Sequence, residues 1–264
     1  MSKEKDKEIF PELAGAAVDA GFNALAVAAG FPAVAIAAPF AKGLIVGLIR
    51  NCYNDCAQRT LSVRESDKLN QMSTIALQTF RELAEEDNVY AWEMSIDPAY
   101  IDYAYEVAEH ATLEGIKQSE RAKVDIIGRY YGRQLYKGFT DWQDMHQIIT
   151  MTGLLTLRQI VMIRLIAEGF KGLDKGLCIT NPSACVETNR LLDYGIWRTE
   201  GALFGTDDSS RIGLSFLRST DYAKMVNEAL MLDRLSEDDV KRTVESLGLR
   251  EMVDTKKRLD FKYV

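Results

Sequence analysis

The chain has 264 residues, 27% charged and 47% hydrophobic, with a formal net charge of −7. That composition builds an ordinary core and excludes a disordered chain. The negative balance excludes a global basic field of the kind that holds nucleic acid non-specifically.

Residues 1–12 form a charged tail in which Lys3, Lys5 and Lys7 alternate with Glu4, Asp6 and Glu8. A secretory leader wants a positive start and a short apolar region, and neither is found here. Residues 13–50 are the apolar segment. Between Asp19 and Lys42 there are 22 positions, Ala20 to Ala41, without a charge. At 1.5 Å per residue this stretch reaches about 33 Å, against about 30 Å for a bilayer core. Pro32 and Pro39 interrupt a single helix, so the spacing predicts a helical hairpin or a kinked span. Ala33, Ala37, Phe40, Gly43 and Gly47 are the expected packing positions. Small residues four apart let helix backbones approach closely in lipid. Arg50, Arg59, Arg64 and Lys68 follow the run, which places the bulk of the chain on the cytoplasmic side. The competing expectation is a buried hairpin at the core of a soluble helical domain.

Residues 51–139 are expected to form a long antiparallel helical stalk. Neither Gly nor Pro occurs from Leu48 to Asn88. Leu69, Met72, Ala76, Thr79 and Leu83 alternate steps of three and four, with Phe80 beside them, as in a helix packed along another helix. Asp97 and Pro98 open a second helical arm from Ala99 to Tyr136. Gly115, Gly128 and Gly132 weaken this arm as one unbroken helix. On it, Arg121, Arg129, Arg133 and Lys137 recur at multiples of four, and Tyr130 lies among them. Guanidinium groups grip phosphate and tyrosine rings stack on bases, so these five residues are the candidate ligand site. The bland alternative is a solvated helix face paired with neighbouring acids.

Residues 140–235 are expected to form a winged-helix-like module with a small β wing. Leu154–Glu168 is strongly helical, and Pro182 opens a helix that ends at Gly195. Ile196–Arg198 and Ile212–Leu217 read as two strands around a turn-rich loop. Ser219-Thr220-Asp221 caps a helix from Tyr222 to Leu232. The helix in the recognition position carries only Arg190 as a cation, so duplex DNA is not an expected partner. Residues 236–264 are a capped terminal helix and a charged tail.

The four cysteines are expected to be free thiols, with a disulfide or metal site as the alternative. Cys52 and Cys56, and Cys178 and Cys185, lack the spacing of zinc knuckles. No phosphate loop, dinucleotide fingerprint, H-E-x-x-H or nucleophile elbow is present. The sequence therefore predicts a non-enzymatic protein with no catalytic residue, metal or cofactor.

The order of these parts over residues 12–235 (apolar helical segment, helical stalk, sensing module) resembles membrane effectors of bacterial antiphage defence. The Hailong-type oligomeric channel effector is the nearest of these. The resemblance implies a homo-oligomer in the bacterial inner membrane, its bulk cytoplasmic, forming a pore gated by a nucleotide or single-stranded oligonucleotide. Its partners would be the lipid membrane, further copies of itself and that ligand. The alternative is a soluble, cytoplasmic helical interaction or regulatory protein.

Overall fold

The computed structural model describes residues 62–86, 101–137, 142–174, 176–199 and 211–251. The apolar segment 13–50, with Ala33, Ala37, Phe40, Gly43 and Gly47, lies outside them. Among the described residues no helix is long and apolar enough to cross a membrane. The described chain is mostly helical with two small antiparallel sheets. It divides into two compact units, Met1–Leu154 and Leu155–Val264.

In the first unit four helices are described: α1 (Val63–Glu86), α2 (Ile101–Lys117), α3 (Arg121–Lys137) and α4 (Trp142–Leu154). Helix α1 opens on a capping box. The Ser62 hydroxyl accepts from the Glu65 amide, and the Glu65 carboxylate accepts from the Ser62 amide at 2.8 Å. The expected seam is buried at Leu69, Met72, Ala76, Thr79 and Phe80.

The partner of that seam differs from expectation. Helix α1 packs mainly on α3, and the two run in the same direction. Gln71 reaches Asp125, Met72 meets Gly128, Ala76 meets Gly132, and Phe80 lies edge-on to Tyr136 with ring centroids 6.4 Å apart. Residue numbers rise together along both helices, so the long antiparallel stalk is replaced by a cluster with a parallel pair. The reason is a reversal at Gln118–Glu120, which divides the expected second arm into α2 and α3. The last carbonyls of α2 are taken by other donors. Lys68 Nζ donates to Ile116 O at 2.6 Å, and the Gln118 side chain donates to Glu114 O at 3.0 Å. Helix C-termini leave such carbonyls open, and cations there are favourable.

Gly128 and Gly132 are where α1 and α3 come closest. A Cβ on Gly128 would stand 2.8 Å from Met72 O. One on Gly132 would stand 2.9 Å from Ala76 Cα and overlap the Ala76 carbonyl oxygen. These glycines do not weaken the helix to no purpose: they permit backbone-to-backbone contact across a buried seam. Helix α4, expected in the C-terminal module, packs on α2 and α3 and belongs to the first unit.

The second unit is built on α5 (Leu157–Ala167). Thr156 and Gln159 form a reciprocal capping box at its start. Ile160, Val161, Met162, Ile163, Leu165 and Ile166 are all buried. A helix apolar on every side must be surrounded, and α5 is packed by α6 (Pro182–Asp193), α7 (Asp221–Ala229) and α8 (Glu237–Ser246).

Strand β1 (Leu177–Ile179) lies between two others in a sheet of order β3-β1-β5. Cys178 is opposite Gly213 of β3 (Ile212–Gly213) and Arg250 of β5 (Arg250–Glu251). A second sheet pairs β2 (Trp197–Thr199) with β4 (Leu217–Ser219), Trp197 opposite Ser219. The strand expected over Ile212–Leu217 is therefore split between two sheets. A 3-10 turn, Leu214–Phe216, diverts the chain from one to the other.

Residues 237–251 are part of this unit, not an appendage. Thr180 and Asn181 clasp the end of α8. Their amides both donate to Leu247 O at 3.2 Å, and Asn181 Nδ2 donates to Ser246 O at 2.9 Å. The Thr180 hydroxyl donates to Gly248 O. The same Asn181 caps α6 through its side-chain oxygen, which accepts from the Ser183 amide at 3.0 Å. Trp197 is buried beneath, its indole N–H donating to Thr188 O at 2.7 Å.

Candidate functional site

The five residues expected to bind a phosphate-bearing ligand all lie on α3, but burial divides them. Arg121 and Lys137 are exposed at its two ends, and Arg129 is half-buried. Arg133 is 9% exposed and Tyr130 only 2%. The Tyr130 ring is core and does not present a face for base stacking. Helix geometry accounts for the division. A step of four residues overshoots a full turn by about 40°, so four such steps wind about 160° around the helix. Arg121 and Lys137 are also about 24 Å apart along the axis, too far to grip one phosphate. Asp125, which fills the gap in the stripe, accepts from Gln71 Nε2 of α1 at 2.6 Å. The stripe is thus a set of residues in different surroundings, not one cationic surface.

A different constellation is brought together where α2 meets α4. The two histidines of the chain, His110 and His146, face each other with Nδ1 to Nδ1 at 2.7 Å. Their planes are inclined by 24° and their ring centroids are 4.9 Å apart. That separation is close to the N···N distance plus two ring radii. The imidazoles therefore meet edge to edge, nitrogen toward nitrogen, as an N–H···N hydrogen bond requires. Thr150 Oγ1 stands 3.4 Å from His110 Nε2.

Charged groups line the same seam. Glu114, one turn beyond His110, is ion-paired with Lys117 at 2.7 Å. Its carboxylate occupies the space that a side chain on Gly153 would fill. Lys123 of α3 is buried and donates from Nζ to Gly153 O at 2.9 Å, closing the end of α4. Burial pulls the Lys123 ammonium below the usual lysine range, against the opposing pull of Glu120 and Glu114. Burial also lowers His110 below the usual imidazole range, and the neighbouring His146 adds to this. Glu114 acts in the opposite direction and Lys117 lowers it further.

The occupant that fits between the two Nδ1 atoms is a proton. Zinc bound by two imidazoles at about 2.0–2.1 Å in tetrahedral geometry would hold them farther apart than 2.7 Å. Among the described residues no group of three or more metal-ligating side chains converges. The seam can share, accept and release protons, and it tethers two helices while doing so.

Sequence reasoning passed over this pair, because 36 positions separate the two residues and no motif joins them. The available signal was only that these are the protein's sole imidazoles and that His110 falls on an expected helical arm. Cys178 and Cys185 are buried, the Cys185 thiol donating to Ile179 O at 3.5 Å; Cys52 and Cys56 lie outside the described residues. No protein-family model matches the chain, and no curated protein or solved structure is similar enough to it to show kinship.

Proposed function

We propose that this protein is a homo-oligomeric membrane effector of bacterial antiphage defence, acting as a ligand-gated pore or channel and not as an enzyme. The observation that carries the proposal is the run Ala20–Ala41, 22 residues without a charge, in a chain whose described helices begin at Val63. In this account residues 13–50 enter the inner membrane, and Gly43 and Gly47, with Ala33, Ala37 and Phe40, set close contact between copies. The four described helices of the first unit are the cytoplasmic base of that segment. The second, winged-helix-like in its succession of helices and strands, is the sensing module.

The trigger is a nucleotide or single-stranded oligonucleotide. A ligand moves a closed–open equilibrium only by its differential affinity for the two states. Of the cations first assigned to it, Arg121 and Lys137 are on the surface and are the ones an incoming phosphate meets.

A second reading is favoured by a specific surface. Val186, Leu192 and Tyr194, on α6 and just after it, are exposed apolar side chains, with Val186 at 53%. They fit a soluble interaction protein that docks a partner through its second unit. Removing residues 1–50 separates the two accounts. The pore reading expects a soluble, cooperatively folding remainder that no longer makes liposomes leak. An aggregating, molten remainder shows that the apolar segment is core, and the second reading takes its place.

A further inference from the structure

We propose that His110 and His146 form a single-proton latch between α2 and α4, closed while the pair carries at most one extra proton and opened when both rings are fully protonated. The geometry carries this. At 2.7 Å only one hydrogen fits between the two Nδ1 atoms. In the neutral pair one ring donates from Nδ1 and the other accepts there, keeping its own proton on Nε2. A first added proton goes to the unprotonated Nε2 of the donor ring and leaves the shared hydrogen in place. A second has only the accepting Nδ1 to occupy. Two N–H groups on two cations would then point at each other, and the rings must part.

The surroundings decide how readily this happens. On α2, Glu106 and Glu114 lie one turn to either side of His110, and Lys117 is ion-paired with Glu114. Glu109 directly precedes His110, and α4 brings His146, the neutral Thr150, no cation and one acid, Asp144, two residues before His146. Helix α3 contributes Lys123, held at Gly153 O, and α1 contributes Lys68, held at Ile116 O. The two lysines lock the far ends of α4 and α2 at carbonyls that do not titrate. Opening is therefore local: α4 swings free at its middle while its C-terminal carbonyl stays bound. The chain leaves the first unit from the end of α4, so the latch sits on the segment that leads into the second unit. The inference does not depend on the pore reading, because it concerns only the α2–α4 seam.

The test is hydrogen exchange of peptides covering residues 142–154 in the full-length protein at pH 7.5 and pH 5.0, corrected for the intrinsic pH dependence of exchange. Protection of α4 should fall about tenfold or more in acid, since one unit of differential protonation is a factor of ten in the opening equilibrium. In His146→Asn the carboxamide offers either a donor or an acceptor to His110, and protection should change little between the two conditions. An equal acid response in both proteins, or none in the parent, overturns the latch. Should the variant fail to fold, the two imidazole Cε1–H resonances of the parent decide. Coupled curves in two macroscopic steps support a shared proton, and two independent single-step curves at ordinary values refute it.

Discussion

Gly132 of α3 lies so close to Ala76 of α1 that a single added methyl group would overlap the Ala76 carbonyl oxygen. With Gly128 one turn earlier, it sets how near the two helices come. This contact orients α3 and, through it, the carbonyl at Gly153 that Lys123 holds.

Gly132→Ala should destabilise the first unit in spite of alanine's better helix propensity. That propensity favours the variant by about 1 kcal/mol, whereas forcing a group into a packed seam costs about 1–3 kcal/mol. The obstructing atoms here are backbone and cannot rotate away, so the cost wins. Urea unfolding of the two proteins at neutral pH measures the difference, and an unchanged or raised midpoint would show that the helices separate easily.

The depressed His110 gives stability a defined pH dependence. The folded protein keeps this imidazole neutral, whereas the unfolded chain protonates it near the ordinary value of 6.5. Between these two values the unfolded state binds more protons, so stability falls as pH falls. The contribution is complete above pH 6.5 and declines as pH drops from there toward the depressed folded value, with no further loss below it. Urea midpoints between pH 8 and pH 5 should follow that course, and His110→Gln should flatten it.

Asn181→Ala removes three hydrogen bonds at once. It strips α6 of its cap and leaves Ser246 O without the side-chain donor it now has. Loss of a cap costs about 0.5–2 kcal/mol, and an abandoned, partly buried carbonyl adds to that. The thermal midpoint of the second unit should drop by several degrees, while Asn181→Asp, which keeps the cap and loses only the clasp to α8, should lie between.

Arg121→Glu with Lys137→Glu should leave the fold intact, because both positions are exposed and the gain from an acid in the first turn of α3 offsets the small loss of a cation from its last turn. If these cations meet the phosphate of the trigger, ligand-dependent leakage of loaded liposomes should be lost while membrane association persists. Unaltered triggering would remove α3 from the ligand site.

What the sequence discloses and what it conceals follow from how far apart the responsible residues lie. The seam at Leu69, Met72, Ala76 and Thr79 was legible, since alternating steps of three and four are written locally. So were the helices opened by Thr220 and Ser236 and the turn at Gly195, whose φ is +70°. The parallel course of α1 and α3 was not, because the reversal at Gln118–Glu120 contains neither glycine nor proline. Strands β1 and β5 are three and two residues long, too short to show a period, and exist only because distant segments pair. The cationic stripe misled for a geometric reason: a spacing of four looks like one face over two turns and winds away from it over four. That the two sole imidazoles form a pair depends on α4 returning to α2, which no local pattern writes.

The central claim is that residues 13–50 are held in a lipid bilayer. Fractionation of bacteria expressing the full-length protein, followed by washing the membranes with alkaline carbonate, tests it most directly. The account predicts that the protein stays in the washed membrane pellet. Clean release into the supernatant as a folded monomer or oligomer would contradict it and place the apolar segment inside protein.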